Sequence, residues 1–564
     1  MCLNEHLNQP MKYILLFCLC FYFTNTFSQI NENEKKESFI KIWGLLKYYH
    51  PEISDGKYDF NKEFIKEYQK LELIETKEAF DKEMVDWIEG YGINELVAKE
   101  NVIQNEFFTK NYNFKWINES NFNSKLFDLL NGLKNNLNYN NHHAKVKKLS
   151  SSVDFSNEIP LANFDSSKKE HRLLFLASFW NAMNYWNVNI YLTDTPWEKV
   201  LNQLISDFTS REKENFEKAK ENLFSKLNDS HSNYGYSYTL NLLNKFPNFG
   251  GKIINDSLVI TSIYNKKVFQ EDSLFKGDII YAINGITLNE YYQSKFSDVI
   301  SVSNQNYLKR AIEKTYLLAS TKDSVLVNIL KTNGQNIKQY IQLSPLKYPA
   351  EKYMRLRPSK TENWKELNTE IGYINLNYID KKQLKQAFNY FNLFKGVIID
   401  LRNYPRNIGA SDIAKHLYPE KTTFLKALTS IKPSYGDYGS NTALSFINNP
   451  FEAGTRNKAY FKGKIVLLVD RTTASKAEWM GMAIQASPNC TTIGEQTFGA
   501  VMNRNQIPLI DGTTIDFTGV GAFYPNDESV QRKGLRLDYE IKESALHYDN
   551  NLYIEKAIKL IDQE

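Results

Sequence analysis

One serine stands where a nucleophile belongs. The run Lys464-Ile465-Val466-Leu467-Leu468-Val469-Asp470 reads as a strand buried on both faces, and Arg471-Thr472-Thr473-Ala474-Ser475-Lys476-Ala477-Glu478-Trp479 reads as the turn into a helix. Ser475 therefore falls at a strand-to-helix junction. A helix amino terminus offers unpaired N–H groups and the positive end of a dipole, and both stabilise the oxyanion formed when a hydroxyl attacks a carbonyl. The same place suits a serine that only caps the helix, so neighbouring motifs must decide. Other chemistries lack their residues: the chain has no H-E-x-x-H, no G-x-x-x-x-G-K-[ST] and no C-x-x-C. His142 and His143 lie in an Asn- and Lys-rich stretch and read as a solvated loop rather than a metal site. No cofactor or metal is implied.

The elements around Ser475 form an α/β layout: strand 371–376, helix 381–394, strand 397–400, strand 464–470 and helix 474–486. Functional loops are expected at the carboxyl ends of such strands. Before them, from Phe249, short strands take over, with tight turns at Asn255-Asp256, Asn284-Gly285 and Asn333-Gly334. A helix near 307–319 and strands 324–330 and 337–343 complete that unit. Further upstream, Phe39, Ile42, Trp43, Leu46 and Tyr49 mark an amphipathic helix stopped by Pro51. A second apolar helix spans 173–186, and aligning Trp180 with Trp43 sets Tyr185 on Tyr48, which suggests a distant duplication of helical units.

The chain has 564 residues, so several domains are expected; hydrophobic residues make up 42% and charged residues 24%, ordinary globular values that exclude wholesale disorder. A net charge of +4 with no basic stripe argues against nucleic acid as a partner. At the amino terminus, Lys12 precedes the apolar run 13–23, and Thr26 and Ser28 fit the small-residue positions of a signal-peptidase site. The run is too short to span a membrane. Export follows, to a bacterial periplasm or the exterior, with lipid attachment at Cys18 or Cys20 less favoured. Cleavage near Ser28 removes Cys2, Cys18 and Cys20 and leaves Cys490 alone, so no intramolecular disulfide is expected.

Four motifs occur in order: Asp400-Leu401-Arg402-Asn403, Thr473-Ala474-Ser475-Lys476-Ala477-Glu478, Gly494-Glu495-Gln496-Thr497-Phe498-Gly499 and Gly534-Leu535-Arg536-Leu537-Asp538. Together with the β-unit before them, which resembles a PDZ domain, they resemble the tail-specific or C-terminal processing peptidases and their tricorn-core relatives. The resemblance implies a multidomain α+β and α/β protein. Its expected parts are a signal peptide (1–28), a helical lobe (30–130), a linker (131–167), a second helical lobe (168–244), a PDZ-like β-domain (245–345), an α/β (crotonase/ClpP-like) serine peptidase domain (346–550) and a tail (551–564).

It also implies roles. Ser-Lys members carry a lysine base directly after T-x-G, where this sequence has Ala500. The tricorn-like branch takes a histidine from L-x-D-S-H, which Leu227-Asn228-Asp229-Ser230-His231 resembles, so His231 is the expected base, with Ser230 orienting the ring or binding through water. The carboxylate that holds the imidazole is open: the family position falls on Gln531, Glu478 and Asp229 are alternatives, and Glu495 is favoured. Oxyanion donors would be the amides of Lys476 and Arg406, the latter with Asn407 standing where the family has glycines. Phe249, Gly250 and Gly251 would receive a peptide end by strand addition. The expected protein is an exported serine endopeptidase acting on peptides or protein tails. The alternative is an inactive, peptide-binding relative.

Overall fold

The computed structural model describes residues 29–92, 107–108, 110–111, 113–134, 141–147, 152–210, 212–264, 273–345, 363–432, 435–439, 450–548 and 551–563. The expected signal peptide and its three cysteines lie outside the described residues. Helix α1 (Glu32–Tyr49) begins well before Phe39, because the Asn31 side chain accepts from the N–H groups of Asn33 and Glu34. It ends at His50, next to Pro51. Helix α2 (Lys169–Trp186) is its counterpart. The Trp43 indole N–H donates to the Phe60 carbonyl at 3.0 Å and that of Trp180 to the Trp197 carbonyl at 2.9 Å, each 17 residues on, a shared contact that fits a duplicated unit. The two helices cross closely at Gly44, where an added Cβ would come within 1.9 Å of the Asn181 side chain.

Residues of both expected lobes enter a single hydrophobic core, joined by Ala144, Val153 and Phe155 from the expected linker. This corrects the reading of two lobes and a polar connector: several of the linker's apolar residues are buried, and burial of that apolar area outweighs the segment's polar average. His143 is likewise buried rather than solvated, with Nδ1 3.2 Å from Glu158 Oε1 and Nε2 3.2 Å from the Ile53 carbonyl, while His142 is exposed.

The β-domain is an antiparallel sheet of β1 (Phe249–Ile254), β2 (Ser257–Ile263), β3 (Ile279–Ile283), β4 (Ser324–Leu330) and β5 (Asn336–Gln342), in that order, with β1 at one edge. Asn255 (φ 54°) and Asn284 (φ 51°) make the expected turns. Helix α3 (Gln305–Ala311), capped by the Asn304 side chain, continues as a wider turn through Tyr316.

In the last third, β6 (Trp364–Asn368), β7 (Ile371–Asn375), β8 (Gly396–Asp400), β9 (Lys464–Val469), β10 (Cys490–Gly494) and β13 (Tyr539–Glu540) form one sheet in that order. It is parallel from β7 onward, with β6 antiparallel at the edge. Alternation sorts its side chains: Val397, Ile399, Ile465, Leu467 and Val469 pack on one face with α4 (Lys381–Tyr390) and α5 (Lys476–Gln485), and Ile398, Val466 and Leu468 on the other. That second face is covered by α6 (Leu552–Asp562) through Tyr553, Ala557, Leu560 and Ile561, so 551–564 is not a loose tail. A hairpin of β11 (Arg504–Pro508) and β12 (Thr514–Thr518) leaves this domain, and its Ile507, Leu509, Ile510, Ile515 and Phe517 join the helical core. That insertion brings the end of β12 to the loop after Ser225.

Candidate active site

Ser475 sits as expected, just after β9 and directly before α5, with φ 52° and ψ −112°. A non-glycine residue in this region is strained, and such strain persists only where the surroundings over-determine it. The surroundings here are Glu478. Its fully buried carboxylate accepts from the Ser475 N–H (3.1 Å), the Thr497 hydroxyl (2.6 Å) and the N–H groups of Gly499 (2.6 Å) and Ala500 (3.2 Å). One side chain thus ties the Ser475 turn to the T-x-G loop. Burial pushes its carboxyl up to about 7 despite those four donors. Gly494, with φ 147°, lets the chain leave β10 where a Cβ would stand 1.7 Å from the Val469 carbonyl oxygen. The Thr473 hydroxyl donates to the Leu401 carbonyl at 3.0 Å, locking the Ser475 segment to Asp400-Leu401-Arg402-Asn403. Asp400 in turn holds Arg402 through both oxygens, at 3.0 and 2.6 Å.

His231 lies in the loop between the helical core and the β-domain and is 8% exposed. Its backbone N–H donates to Asp229 Oδ1 (3.0 Å), and its Nδ1 lies 3.0 Å from Thr518 Oγ1 at the end of β12. Thr518 donates to the same carboxylate twice, by hydroxyl (2.8 Å) and by amide (2.5 Å). The β-domain pins the other side: the Asp229 N–H donates to Ser301 Oγ, and Ser230 and Ser303 exchange amide-to-hydroxyl bonds, all at 2.9 Å. Burial lowers the His231 pKa, with Asp229 opposing that and Arg504 assisting it.

Phe498 joins the two halves. Its ring centroid is 5.8 Å from that of His231 and 4.7 Å from that of Tyr307 on α3, and it packs with Ala474 and Ala500 beside Ser475. Among the described residues no hydrogen bond joins the Ser475 hydroxyl to His231, a separation common in unliganded sites.

Three expectations are corrected. Glu495 does not orient His231, because both its oxygens are held by Arg471 at 2.9 and 2.7 Å. Ser230 is paired with Ser303 rather than with the imidazole. The Arg406 N–H donates to the Asn377 carbonyl at 3.1 Å and is not free for an oxyanion, whereas the Lys476 N–H has no backbone partner among the described residues. Gln531, where the resemblance expected an acid, donates to Thr518 Oγ1 at 3.4 Å. Phe249, Gly250 and Gly251 lie on the edge strand β1, whose outer rim is occupied at Ile253: Glu313 accepts from its N–H (2.6 Å) and Arg471 donates to its carbonyl (2.8 Å). Thr518 was not singled out by the sequence; no motif surrounds it, and only the fold brings it to His231.

No helix among the described residues is long and apolar enough to cross a membrane. The chain is 26% identical over 218 residues to a carboxyl-terminal-processing protease of Synechocystis sp., covering 37% of this chain and 44% of that protein. It is 26% identical over 137 residues to a nisin-resistance protein of Lactococcus lactis subsp. lactis, covering 22% of this chain and 40% of that protein. It therefore spans less than half the length of these curated relatives. Among solved structures, mature CPAF complexed with lactacystin shares the fold with a TM-score of 0.51 at 9% identity, over 70% of this chain and 97% of that one. Residues 370–541, which hold Ser475 and all four motifs, match the model of peptidase family S41, and the chain carries a domain of that family.

Proposed function

We propose that the protein is an exported serine endopeptidase, periplasmic or extracellular, that cleaves peptides or protein tails with Ser475 as nucleophile and His231 as base. The observation that carries this reading is the strained turn at Ser475, held by Glu478 at a helix amino terminus beside the unused Lys476 N–H. A serine serving only as a cap has no need of that strain. His231 takes the serine proton as Oγ attacks the carbonyl and returns it to the leaving amine; water then hydrolyses the acyl-enzyme by the same path. The Lys476 amide is one oxyanion donor, and the second comes from another amide of the 403–407 loop. A substrate end adds to the free rim of β1 along Phe249, Gly250 and Gly251 and stops short of Ile253, whose polar groups are taken.

Treatment of the mature protein with a fluorophosphonate, followed by mass spectrometry, tests the reading. The expected adduct is on Ser475 and disappears in Ser475→Ala and His231→Ala. A folded protein that binds peptides yet takes no label would instead be the inactive relative.

A further inference from the structure

We infer that Thr518 and Asp229 are the positioning residues that set the tautomer of His231, a relay through a hydroxyl in place of the direct carboxylate that Gln531 does not supply. The inference rests on the peptidase reading for its catalytic consequence, but its geometry stands apart from it. A carboxylate can only accept, and Asp229 Oδ1 lies 2.8 Å from Thr518 Oγ1, so the threonine commits its one proton there. Its lone pairs are then all it can offer to His231 Nδ1 at 3.0 Å and to the Gln531 amide at 3.4 Å. Nδ1 must carry the hydrogen. In a neutral imidazole the other nitrogen is then bare, so Nε2 is the proton acceptor that a serine base requires, and it makes no hydrogen bond among the described residues.

The arrangement is rigid and dry. Asp229, Thr518 and Gln531 are all buried, and the Asp229 carboxylate is fixed independently by the amides of His231 (3.0 Å) and Thr518 (2.5 Å). When Nε2 takes the serine proton, the imidazolium keeps its Nδ1–H on Thr518, and the hydroxyl dipole, aligned by Asp229, faces the new charge with its oxygen. No proton passes to the threonine or the aspartate. The charged groups around the ring are Asp229 on its own loop and the Arg504–Asp516 pair of the β11–β12 hairpin, joined at 2.9 Å.

The test compares Thr518→Val, Thr518→Ser and Asp229→Asn with the parent protein. Valine keeps the shape and the 518 amide, so the carboxylate retains two donors and the fold is expected to hold. In the parent, nitrogen-15 NMR of labelled histidine, with His231 assigned by His231→Gln, is expected to show a protonated Nδ1 and a bare Nε2. In Thr518→Val that preference is lost, and kcat falls by about 100-fold or more, towards the cost of a wrong tautomer, with KM little changed. Thr518→Ser restores both. Asp229→Asn lowers kcat and moves the acid limb of kcat/KM to lower pH, because the lost negative charge had favoured the imidazolium. A parent spectrum with the proton on Nε2, or valine and serine variants with equal kcat and unchanged pH profiles, would overturn the relay. A parent protein with the expected tautomer but no fluorophosphonate label would sink the peptidase reading alone.

Discussion

Ser475 and His231 are held by two different kinds of scaffold. Every group on the Ser475 turn, from Leu401 and Thr473 to Glu478, Thr497, Gly499 and Ala500, belongs to the one α/β domain. The His231 loop is held by Ser301 and Ser303 of the β-domain and by Thr518 of a hairpin nearly three hundred residues away, itself packed into the helical core. The geometry at Ser475 is therefore local to a unit, whereas the geometry at His231 exists only when three regions are docked. That division places the Ser475 turn wholly within the residues that match the S41 model, whereas His231, Ser301 and Ser303 lie outside them and Thr518 reaches His231 from within.

The comparison can be broken most forcefully at Glu478. Glu478→Ala leaves four buried donors without an acceptor, so unfolding in urea is expected to show a loss of about 4 kcal/mol, with activity lost as well. The wild-type carboxyl, held at about 7 against 4.5 in the unfolded chain, binds its proton more tightly when folded. Its contribution to stability is therefore fully present below about 4.5 and lost as pH rises towards 7, and the variant should lack that slope. On the base side, Ser301→Ala with Ser303→Ala removes two bonds near His231, those the Asp229 and Ser230 N–H groups donate to the two hydroxyls. It should cost about 2 kcal/mol, lower kcat more than KM, and leave the Ser475 turn intact in a crystal structure.

A subtler measurement sharpens the contrast through pH. Burial lowers the His231 pKa below its ordinary 6.5, so the ring stays neutral and competent below that value, and the acid limb of kcat/KM should fall under pH 6.5. A limb at or above 6.5 would mean a more solvated base. The smallest effect is expected for Lys476→Ala: the site uses this residue's backbone N–H, and its partly exposed side chain should change kcat/KM by no more than about threefold. A collapse of activity there would contradict a role confined to the backbone N–H.

The same division explains what could be read in the sequence. Strand 324–330, the β9-to-α5 junction, the tight turns and the motif order rest on short-range rules of periodicity, turn chemistry and spacing, and they appear where expected. Glu495 is the orienting group favoured from the sequence, but in the fold Arg471 holds both its oxygens. Arg406 followed from loop position, whereas the use of its N–H depends on Asn377 across the fold. The two lobes merge, and 551–564 is docked, because apolar residues spaced far apart in sequence share cores that no window of sequence displays. Thr518 is the plainest case: it becomes a partner of His231 only through the path of the β11–β12 hairpin.

The central claim is that these separately built halves act as one catalytic unit. A kinetic double-mutant cycle on Ser475→Ala, His231→Ala and the double variant, using turnover of an internally quenched peptide, tests it most directly. The account predicts that each single change costs up to about 10⁶-fold in kcat and that the double change costs no more than either. Losses that multiply, or a His231→Ala enzyme that keeps its rate, would contradict it.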